Sequence, residues 1–287
     1  MKNLNALPLR SRLVRKPSEH KGDMGKVLLI GGAPGMAGAI FLSAYGSLYS
    51  GAGWTMIGVL DPQSAHVHID QPEFMINDIS QISDPATYLT SIKPESVAIG
   101  PGMGFSEQAR HFLEACIHYS CPLVIDADAL NMISNSAQLQ EQLQTRQVPC
   151  TITPHPAEAG RLLGISASEV QSDRPLAIQS LIKKFHCHVV LKGHHSLLGS
   201  PSENIYSCQE GNPGMATGGM GDVLTGLIAS LAAQGIRHQL NLWEATCLGV
   251  QLHAIAADQL VKSGIGPNGM TPLELAKQIR SLINSVN

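Results

Sequence analysis

The stretch VLLIGGAPGMAG, from Val27 to Gly38, is a short aliphatic run that ends in a cluster of glycines. Every position from Val27 to Ile30 is aliphatic, which is typical of a strand in a parallel sheet that is covered on both faces. The glycines after Ile30 permit a tight turn, and the apolar segment Ala39–Tyr49 that follows has the length of a helix. The stretch therefore predicts a strand that leads into a helix, the repeating unit of an α/β fold.

Aliphatic runs of the same kind recur along the chain, and helix-like stretches separate them. This alternation predicts a mostly parallel sheet joined by right-handed crossovers. The predicted strands are Val27–Ile30, Trp54–Leu60, Val97–Ile99, Leu123–Ile125, Thr151–Thr153 and Val189–Leu191. The predicted helices include Ala39–Tyr49, Glu107–Tyr119, Ala167–Phe185, Asp222–Gln234, Leu242–Leu260 and Thr271–Val286, the last of which opens with a capping box. Because no internal repeat or linker is evident, we expect a single domain over residues 1–287, with residues 1–19 as an N-terminal extension.

The composition narrows the functional classes. The chain has 287 residues and a net charge of −3, which does not indicate nucleic-acid binding. The segment Val27–Leu60 carries no charge, but eight glycines and a proline interrupt it, so a buried strand–helix–strand unit is favoured over a membrane segment. The six cysteines are scattered without a C-x-x-C pair, which predicts reduced thiols and a cytoplasmic location. No closely spaced set of zinc ligands is present, and we assign no residue as a metal ligand.

The residues best suited to catalysis or ligand binding follow the predicted strands. In a parallel sheet, the carboxyl ends of the strands lie along one edge, and ligands bind in the crevice outside it. Turns after strands are rich in glycine in any protein, so each segment alone has a structural explanation. Five together, carrying Lys, His and Asp as well as Gly, predict a binding crevice. The segments are Gly31–Gly38, Gly100–Gly104, Asp126–Asn131, Pro154–Glu158 and Lys192–His195.

The glycine-rich run Asn212–Gly221 is the strongest candidate for a phosphate site. No G-x-x-x-x-G-K-[ST] occurs, and the first glycine cluster, Gly31–Gly38, does not fit G-x-G-x-x-G, so neither a P-loop protein nor an ordinary dinucleotide-binding dehydrogenase is indicated. Asp222 follows the glycines and precedes an apolar, helix-like segment. It could be a helix N-cap, or it could be a general base beside an amide-lined anion site. Phosphoryl transfer to a hydroxyl requires positioning, neutralisation of charge and a base, and this arrangement favours the base.

Other candidates also have two interpretations. His155 could face the crevice or be a hydrogen-bonded loop histidine, and Lys192 could meet phosphate or pair with a surface carboxylate. Asp126 and Asp128 could hold magnesium through water, or cap the helix that follows. His253 lies in an apolar helix pattern, which favours a satisfied core residue over a ligand.

The run NPGMATGGMGDVLTG, from Asn212 to Gly226, resembles the signature of the ADP/ATP-dependent NAD(P)H-hydrate dehydratases. These are ribokinase-like enzymes that repair damaged nicotinamide cofactors. The resemblance extends over residues 20–286, in blocks that keep the family order: HKGDMGKVLLIGG (His20–Gly32), GMAGA (Gly35–Ala39), SGAG (Ser50–Gly53), IGPGMG (Ile99–Gly104), DADALN (Asp126–Asn131), TPHPAE (Thr153–Glu158) and LKGHHS (Leu191–Ser196). It implies a ribokinase-like three-layer α/β/α sandwich with a mostly parallel central sheet.

The resemblance also implies a reaction. The S epimer of hydrated NADH or NADPH would be phosphorylated on its ring hydroxyl and would then lose phosphate, which restores the reduced nicotinamide. ADP, or ATP, would be the co-substrate with Mg²⁺, and ADP would give AMP. Carried over by motif, the catalytic residues would be Asp222, Gly219 and Gly221. The nucleotide would be bound by Lys192, Gly193, His194, His195, Ser196, Asn212, Thr217, Gly218 and Gly221, and the hydrate by Ala39, Gly104, His155 and Asp222.

The resemblance has further implications for partners. Many relatives carry an N-terminal epimerase domain, for which this chain has no room, so a separate epimerase is expected in the same pathway. A homo-oligomer, in the form of a tetramer, is expected too. The family usually has a small or polar residue at the position of His195, so the nucleotide contacts of this loop can differ.

Two rival functions stay open at this point. One is a ribokinase-like kinase of a small molecule such as a hydroxymethylpyrimidine or a hydroxyethylthiazole, which would release a stable phosphate ester. The other is a nucleotide-sensing module without turnover, which has no need of a base at Asp222.

Overall fold

The computed structural model describes residues 1–66 and 71–285. In this part of the chain, ten strands form one sheet in the order β1-β10-β9-β8-β7-β6-β5-β2-β3-β4. The strands pair in parallel except where β9 meets β8 and β10. Their bounds are β1 Lys2–Asn3, β2 Lys26–Gly31, β3 Trp54–Val59, β4 Met75–Asp78, β5 Ser96–Ile99, β6 Leu123–Ile125, β7 Cys150–Ile152, β8 His188–Leu191, β9 Leu197–Gly199 and β10 Tyr206–Ser207.

Helices connect most of the strands, and three helices follow the last strand. Their bounds are α1 Ala37–Ser50, α2 Pro85–Ile92, α3 Glu107–His118, α4 Ala127–Ser134, α5 Ala137–Thr145, α6 Pro156–Leu163, α7 Ala167–Ser172, α8 Arg174–Phe185, α9 Met220–His238, α10 Leu242–Lys262 and α11 Pro272–Asn284. Short 3₁₀ turns lie at Leu7–Leu13, Lys21–Met24, Ser64–His66 and Pro213–Met215.

The two faces of the sheet carry two separate cores. Val27 and Leu29 of β2 pack with α1, α9, α10 and α11, whereas Leu28 and Ile30 pack with helices of the opposite face. Successive side chains of a strand point to opposite faces, so an all-aliphatic strand is buried on both. The predicted three-layer α/β/α sandwich with a mostly parallel sheet is confirmed.

The segment Val27–Leu60 forms β2, α1 and β3, as predicted. Within residues 1–66 and 71–285, none of the helices combines the length and the apolar character that a membrane span requires.

One helix prediction was wrong. The segment Ala167–Phe185, predicted as one helix, is divided into α7 and α8 at Asp173. Asp173 adopts a non-helical conformation, and its carboxylate accepts a hydrogen bond from the Leu176 amide at 2.9 Å, so it caps a new helix. The capping box at Thr271 is present. Val286, the last residue of the predicted final helix, lies outside the described residues.

The order of the strands creates a crevice between β2 and β5. The chain leaves β2 towards β3 on one side and returns to pair β5 on the other, which makes this the topological switch point. The loops after the two strands meet there. The Gly32 amide donates to the Pro101 carbonyl at 3.2 Å, and the Ala33 amide donates to the Gly102 carbonyl at 2.7 Å.

Helices α1 and α9 approach each other through glycines. A Cβ atom on Gly226 would lie 1.8 Å from the Ser43 carbonyl oxygen, and one on Gly46 would lie 2.2 Å from the Val223 carbonyl oxygen. No side chain fits at either position, so the helix that carries Asp222 is packed directly on the backbone of α1.

The N-terminal residues are part of the core. Leu4, Ala6 and Leu13 are buried, and the Lys2 amide donates to the Ile205 carbonyl at 3.0 Å, which adds β1 to the sheet. The segment that the sequence presented as an extension therefore packs against the rest of the chain.

Candidate active site

Asp222 occupies the third position of α9, after the glycines that begin the helix. Gly219 is the N-cap, with φ +95°, and the helix has no side-chain cap. The interpretation of Asp222 as an N-cap was therefore wrong. The half-buried carboxylate lies beside the first turn of a helix whose free amides and dipole favour an anion.

The environment of Asp222 suits proton transfer near neutral pH. Burial raises the pKa of its carboxyl to about 7, and the charges of Asp126, Asp128 and Glu158 act in the same direction, while Lys192 opposes them. A general base is most effective when its pKa lies close to the working pH. The pKa of Asp222 meets this condition.

Lys192 and Asp126 form the central ion pair of the site. Lys192 Nζ donates to Asp126 Oδ1 at 2.7 Å, and Thr225 Oγ1 donates to Asp126 Oδ2 at 2.8 Å. Asp126 is at the N-cap position of α4, yet its side chain does not cap the helix, so that interpretation was wrong. Lys192 pairs with a carboxylate, as one interpretation held, although this carboxylate is buried rather than at the surface.

The charge of Lys192 is held by several carboxylates. Burial alone would lower the pKa of its ammonium, but Asp126, Glu158 and Asp222 outweigh burial and raise it. Lys192 Nζ also lies 4.0 Å from Glu158 Oε2. The lysine therefore remains a cation among these groups.

His155 and Glu158 form a capping box at the start of α6. His155 Nδ1 accepts from the Ala157 amide at 3.1 Å, and Glu158 Oε2 accepts from the His155 amide at 2.8 Å. The hydrogen-bonded loop histidine is thus confirmed, and its ring is exposed. Burial raises the pKa of Glu158 to about 7 and lowers that of His155. Sequence reasoning did not assign Glu158, because the sequence signature of a capping box has Ser or Thr at the N-cap, whereas this box has His155.

Asp128 and Gly104 connect two of the loops at the crevice. Asp128 Oδ2 accepts a hydrogen bond from the Gly104 amide at 3.0 Å, which ties the loop after β5 to α4. Across residues 1–66 and 71–285, no group of three or more His, Cys, Asp or Glu side chains is arranged to hold a metal ion.

A cavity of about 520 Å³ opens next to Lys192 and Gly221, between the loop after β8, the segment after β10 and helices α9 and α10. It brings together the predicted nucleotide residues Lys192, Gly193, His194, His195, Ser196, Asn212 and Gly221. Thr217 and Gly218 are not among its described lining residues, and neither are the predicted substrate residues Ala39, Gly104, His155 and Asp222. Met215 and Met220 of the wall belong to the predicted run Asn212–Gly221, whereas sequence reasoning missed Cys208, Glu210, Leu224 and Val250.

Arg174 holds the loop Lys192–Ser196 through hydrogen bonds to backbone carbonyls. Its guanidinium donates to the carbonyl of Leu191, at 3.1 Å, and to that of His194. Gly193, between them, has φ +146°, and a Cβ atom there would lie 3.1 Å from Arg174 Nη2. The loop conformation thus depends on a residue of α8 that the sequence did not single out.

Two further residues of the cavity wall have structural partners. Asn212 Oδ1 accepts from the Gly214 amide at 3.0 Å, and its Nδ2 donates to Asp258 at 2.9 Å, so this side chain shapes its own loop. His253 bonds to the Met220 carbonyl at 2.9 Å through Nε2, and burial lowers the pKa of its ring to about 4. The interpretation of His253 as a satisfied core residue is confirmed, and its ring also lines the cavity.

Comparisons with known proteins agree on one family. A family profile described as NAD(P)H-hydrate dehydratase matches residues 27–281. An ADP-dependent (S)-NAD(P)H-hydrate dehydratase from Neisseria meningitidis is 36% identical, over 95% of this chain and 89% of its own length. A bifunctional NAD(P)H-hydrate repair enzyme from Coxiella burnetii is 39% identical over 97% of this chain, which spans 53% of that relative. The chain thus covers about half the length of such bifunctional relatives.

Solved structures agree on the fold. A ribokinase-like superfamily protein from Enterococcus faecalis is 26% identical, with a TM-score of 0.81, over 99% of this chain and 95% of its own. An ADP/ATP-dependent NAD(P)H-hydrate dehydratase from Bacillus subtilis, co-crystallised with ATP and Mg²⁺, has a TM-score of 0.81 at 24% identity, over 98% of this chain and 97% of its own. The predicted ribokinase-like fold is confirmed. With the profile match over most of its length and the Neisseria relative, the chain belongs to the NAD(P)H-hydrate dehydratase family.

Proposed function

We propose that this protein uses ADP to dehydrate the S epimer of hydrated NADH or NADPH. The observation that carries the proposal is the position of Asp222. A carboxylate with a pKa of about 7 lies in the first turn of α9, and Gly221 of the same turn lines the cavity that also contains Lys192. A base, an anion site and a space for a nucleotide therefore meet at one helix end.

The reaction divides into two steps. In the first, Asp222 accepts the proton of the ring hydroxyl, whose oxygen forms a bond to the terminal phosphorus of ADP while the bond to AMP breaks. In the second, the electron pair of the ring nitrogen expels phosphate from the carbon that carried the hydroxyl, and the neighbouring carbon releases a proton to solvent as the ring double bond forms. The products are AMP, phosphate and the reduced nicotinamide cofactor.

The chain's own groups divide the work between the two ligands. We assign the transferring phosphoryl group to the amides of Gly218–Gly221, and the nucleotide to the cavity lined by Lys192–Ser196 and Asn212. Thr217, outside the lining, donates to the Gly214 carbonyl at 3.1 Å and supports the loop. We assign the hydrate to the crevice between the loops after β2 and β5, with Ala39, Gly104 and His155 in its wall.

The nucleotide, rather than the protein, would supply most of the ligands of a magnesium ion at this site. Asp126 is already engaged by Lys192 and Thr225, and Asp128 by Gly104. Mg²⁺ commonly keeps several waters and binds through substrate phosphates with one or two carboxylates. We therefore expect the phosphates to supply most of its ligands, with Asp128 or Glu158 reached through water. The ion would neutralise charge on the transferring group.

We extend the proposal to the domain, its metabolic partner, its assembly and its location. Residues 1–287 act as one catalytic domain, and a separate epimerase supplies the S epimer. The active form is a homotetramer, which sedimentation at micromolar concentration tests, since a mass of about 30.5 kDa would contradict it. The six cysteines are free and buried, which suits a reducing, cytoplasmic location.

The experiment is to incubate the protein with hydrated NADH, Mg²⁺ and either ADP or ATP. Recovery of the near-ultraviolet absorbance of reduced nicotinamide, faster with ADP, is the expected result. Parallel incubations replace hydrated NADH with a hydroxymethylpyrimidine or a hydroxyethylthiazole, and a stable phosphate ester of either, without cofactor recovery in the first incubation, would establish the rival kinase. Nucleotide binding without turnover of any of these compounds would establish a sensing module.

A further inference from the structure

Glu210 lies in the wall of the nucleotide cavity, and the roles proposed above leave it unused. Among the described residues that line this cavity, it is the one with an acidic side chain. A carboxylate accepts hydrogen bonds and repels phosphates, so it is unsuited to the phosphate end of a nucleotide. A nucleoside, by contrast, offers donors: the hydroxyls of the ribose and the exocyclic amino group of adenine. The carboxylate thus matches the nucleoside end of ADP.

Two neighbours hold the Glu210 carboxylate in place. Gln251 Nε2 donates to Oε1 at 2.9 Å, and Cys208 Sγ donates to Oε2 at 3.3 Å. Burial raises the pKa of the Cys208 thiol to about 12, so it keeps the proton that it donates. Each carboxylate oxygen retains a second lone pair for a ligand. The acceptor is therefore oriented before a nucleotide arrives.

The N-terminal segment determines which end of the Gln251 amide faces Glu210. Gln251 is buried, and its Oε1 accepts from the Ala6 amide at 2.7 Å and from the Leu7 amide at 2.9 Å. Its Nε2 also donates to the Leu4 carbonyl at 3.3 Å. Because two backbone donors take the oxygen, the NH₂ group is left to point at Glu210.

We propose that Glu210 selects the nucleoside of the co-substrate by accepting hydrogen bonds from its donor groups, and that Gln251 is the positioning residue that orients it. This inference rests on the proposed function only in that the cavity binds ADP. It gives the N-terminal segment a part in nucleotide binding, because Leu4, Ala6 and Leu7 fix the Gln251 amide.

The test is calorimetric binding of ADP, 2′,3′-dideoxy-ADP and inosine diphosphate, without hydrate, to the full chain. The wild type should prefer ADP to at least one analogue: loss with the dideoxy compound identifies the ribose hydroxyls, and loss with inosine diphosphate identifies the amino group. Glu210→Ala should weaken ADP binding about tenfold to a hundredfold and abolish that preference. Glu203→Gln, which removes the same charge from an exposed position outside the cavity lining, is the matched control.

Gln251→Glu tests the positioning role separately. It keeps an oxygen for the Ala6 and Leu7 amides but replaces the donor to Glu210 with a second carboxylate oxygen. Circular dichroism checks the fold, and the expected result is the same loss of nucleoside preference as in Glu210→Ala. Wild-type preference in this variant would refute the role of Gln251.

The binding experiment distinguishes a failure of nucleoside selection by Glu210 from a failure of the proposed dehydratase function. If the wild type binds all three nucleotides equally, or if Glu210→Ala binds ADP as tightly as the wild type, the selection by Glu210 is wrong while the dehydratase function stands. If the wild type binds no ADP at all, the proposed function itself is wrong.

Discussion

Lys192 and Asp126 are joined by a 2.7 Å contact between Nζ and Oδ1, although they follow strands β8 and β6, which lie on either side of β7. The lysine side chain therefore reaches across the carboxyl end of β7, where Glu158 also approaches it. One cation thus stabilises a group of carboxylates that would otherwise repel one another. Lys192 therefore stabilises the site in the absence of any ligand.

Replacing Lys192 with Met should destabilise the protein. Breaking a buried ion pair by removing one partner costs about 3–5 kcal/mol, and because Lys192 is partly open to solvent we expect about 2–4 kcal/mol. Urea denaturation of Lys192→Met measures this change. Lys183→Met, on the exposed face of α8, is the control and should stay near the wild type. Equal stabilities of the two variants would contradict the ion-pair role.

Asp222→Asn should retain the fold and ADP binding and lose turnover. Gly219 is the N-cap of α9 and the helix has no side-chain cap, so the replacement of Asp222 by Asn removes no capping hydrogen bond. Removal of a general base costs about 10²–10⁴-fold, and we expect at least a hundredfold loss of kcat. The measurement is steady-state kinetics with hydrated NADH alongside calorimetric binding of ADP. More than half of the wild-type rate would show that Asp222 is not the base.

The raised pKa of Asp222 gives the stability a defined pH dependence. The ordinary pKa is 3.8 and the folded value is about 7, so between these limits the folded state binds more protons than the unfolded state. The contribution of Asp222 to the free energy of unfolding is therefore largest below the lower limit and falls as pH rises through about 7. Asp222→Asn lacks this dependence and should gain stability relative to the wild type as pH rises.

Urea denaturation of both proteins at several pH values measures this difference. Burial raises the pKa of Glu158 in the same direction, but that carboxyl is common to the two proteins and its contribution largely cancels. The value of kcat/KM for the wild type should rise as pH passes through about 7, because the ionised form of Asp222 accepts the proton. Parallel stability profiles for the two proteins would rule out the pKa shift.

Gly219 and Gly218 should respond differently to alanine. Gly219 has φ +95°, and a Cβ atom would lie 2.3 Å from Leu42 Cδ1 and 3.0 Å from Pro272 Cγ. Gly219→Ala should therefore lose about 1–3 kcal/mol of stability from backbone strain and crowding. A Cβ atom on Gly218 would have no neighbour within 4 Å, so Gly218→Ala should have the same Tm as the wild type. If the amides of this turn bind phosphate, Gly218→Ala should still raise the KM for ADP, and unchanged kinetics would argue against that contact.

The sequence predicted those parts of the site that are local. Asp222 and its glycines stand in one run, and five strand ends with polar residues could be recognised because parallel strands finish at one edge. The division at Asp173 was missed because the apolar pattern continues through it, and only the capping hydrogen bond to Leu176 shows the break.

The parts that were missed depend on contacts between distant segments. Arg174 reaches the loop after β8 only once α8 is packed, and Glu210 is oriented by Gln251, which is in turn held by residues near the N-terminus. Lys192 was expected at phosphate or at a surface carboxylate, but its buried partner Asp126 lies two strands away. Neither spacing nor composition contains that information.

The glycine contacts between α1 and α9 also affect what nucleotide binding should look like in a calorimeter. Because Gly226 and Gly46 bring the two backbones into contact, the first turn of α9 is seated on α1 before any ligand arrives. Nucleotide binding is then not coupled to the folding of this helix. The heat-capacity change should accordingly reflect the apolar surface of the ligand and cavity alone, and lack the much larger negative value that coupled folding produces.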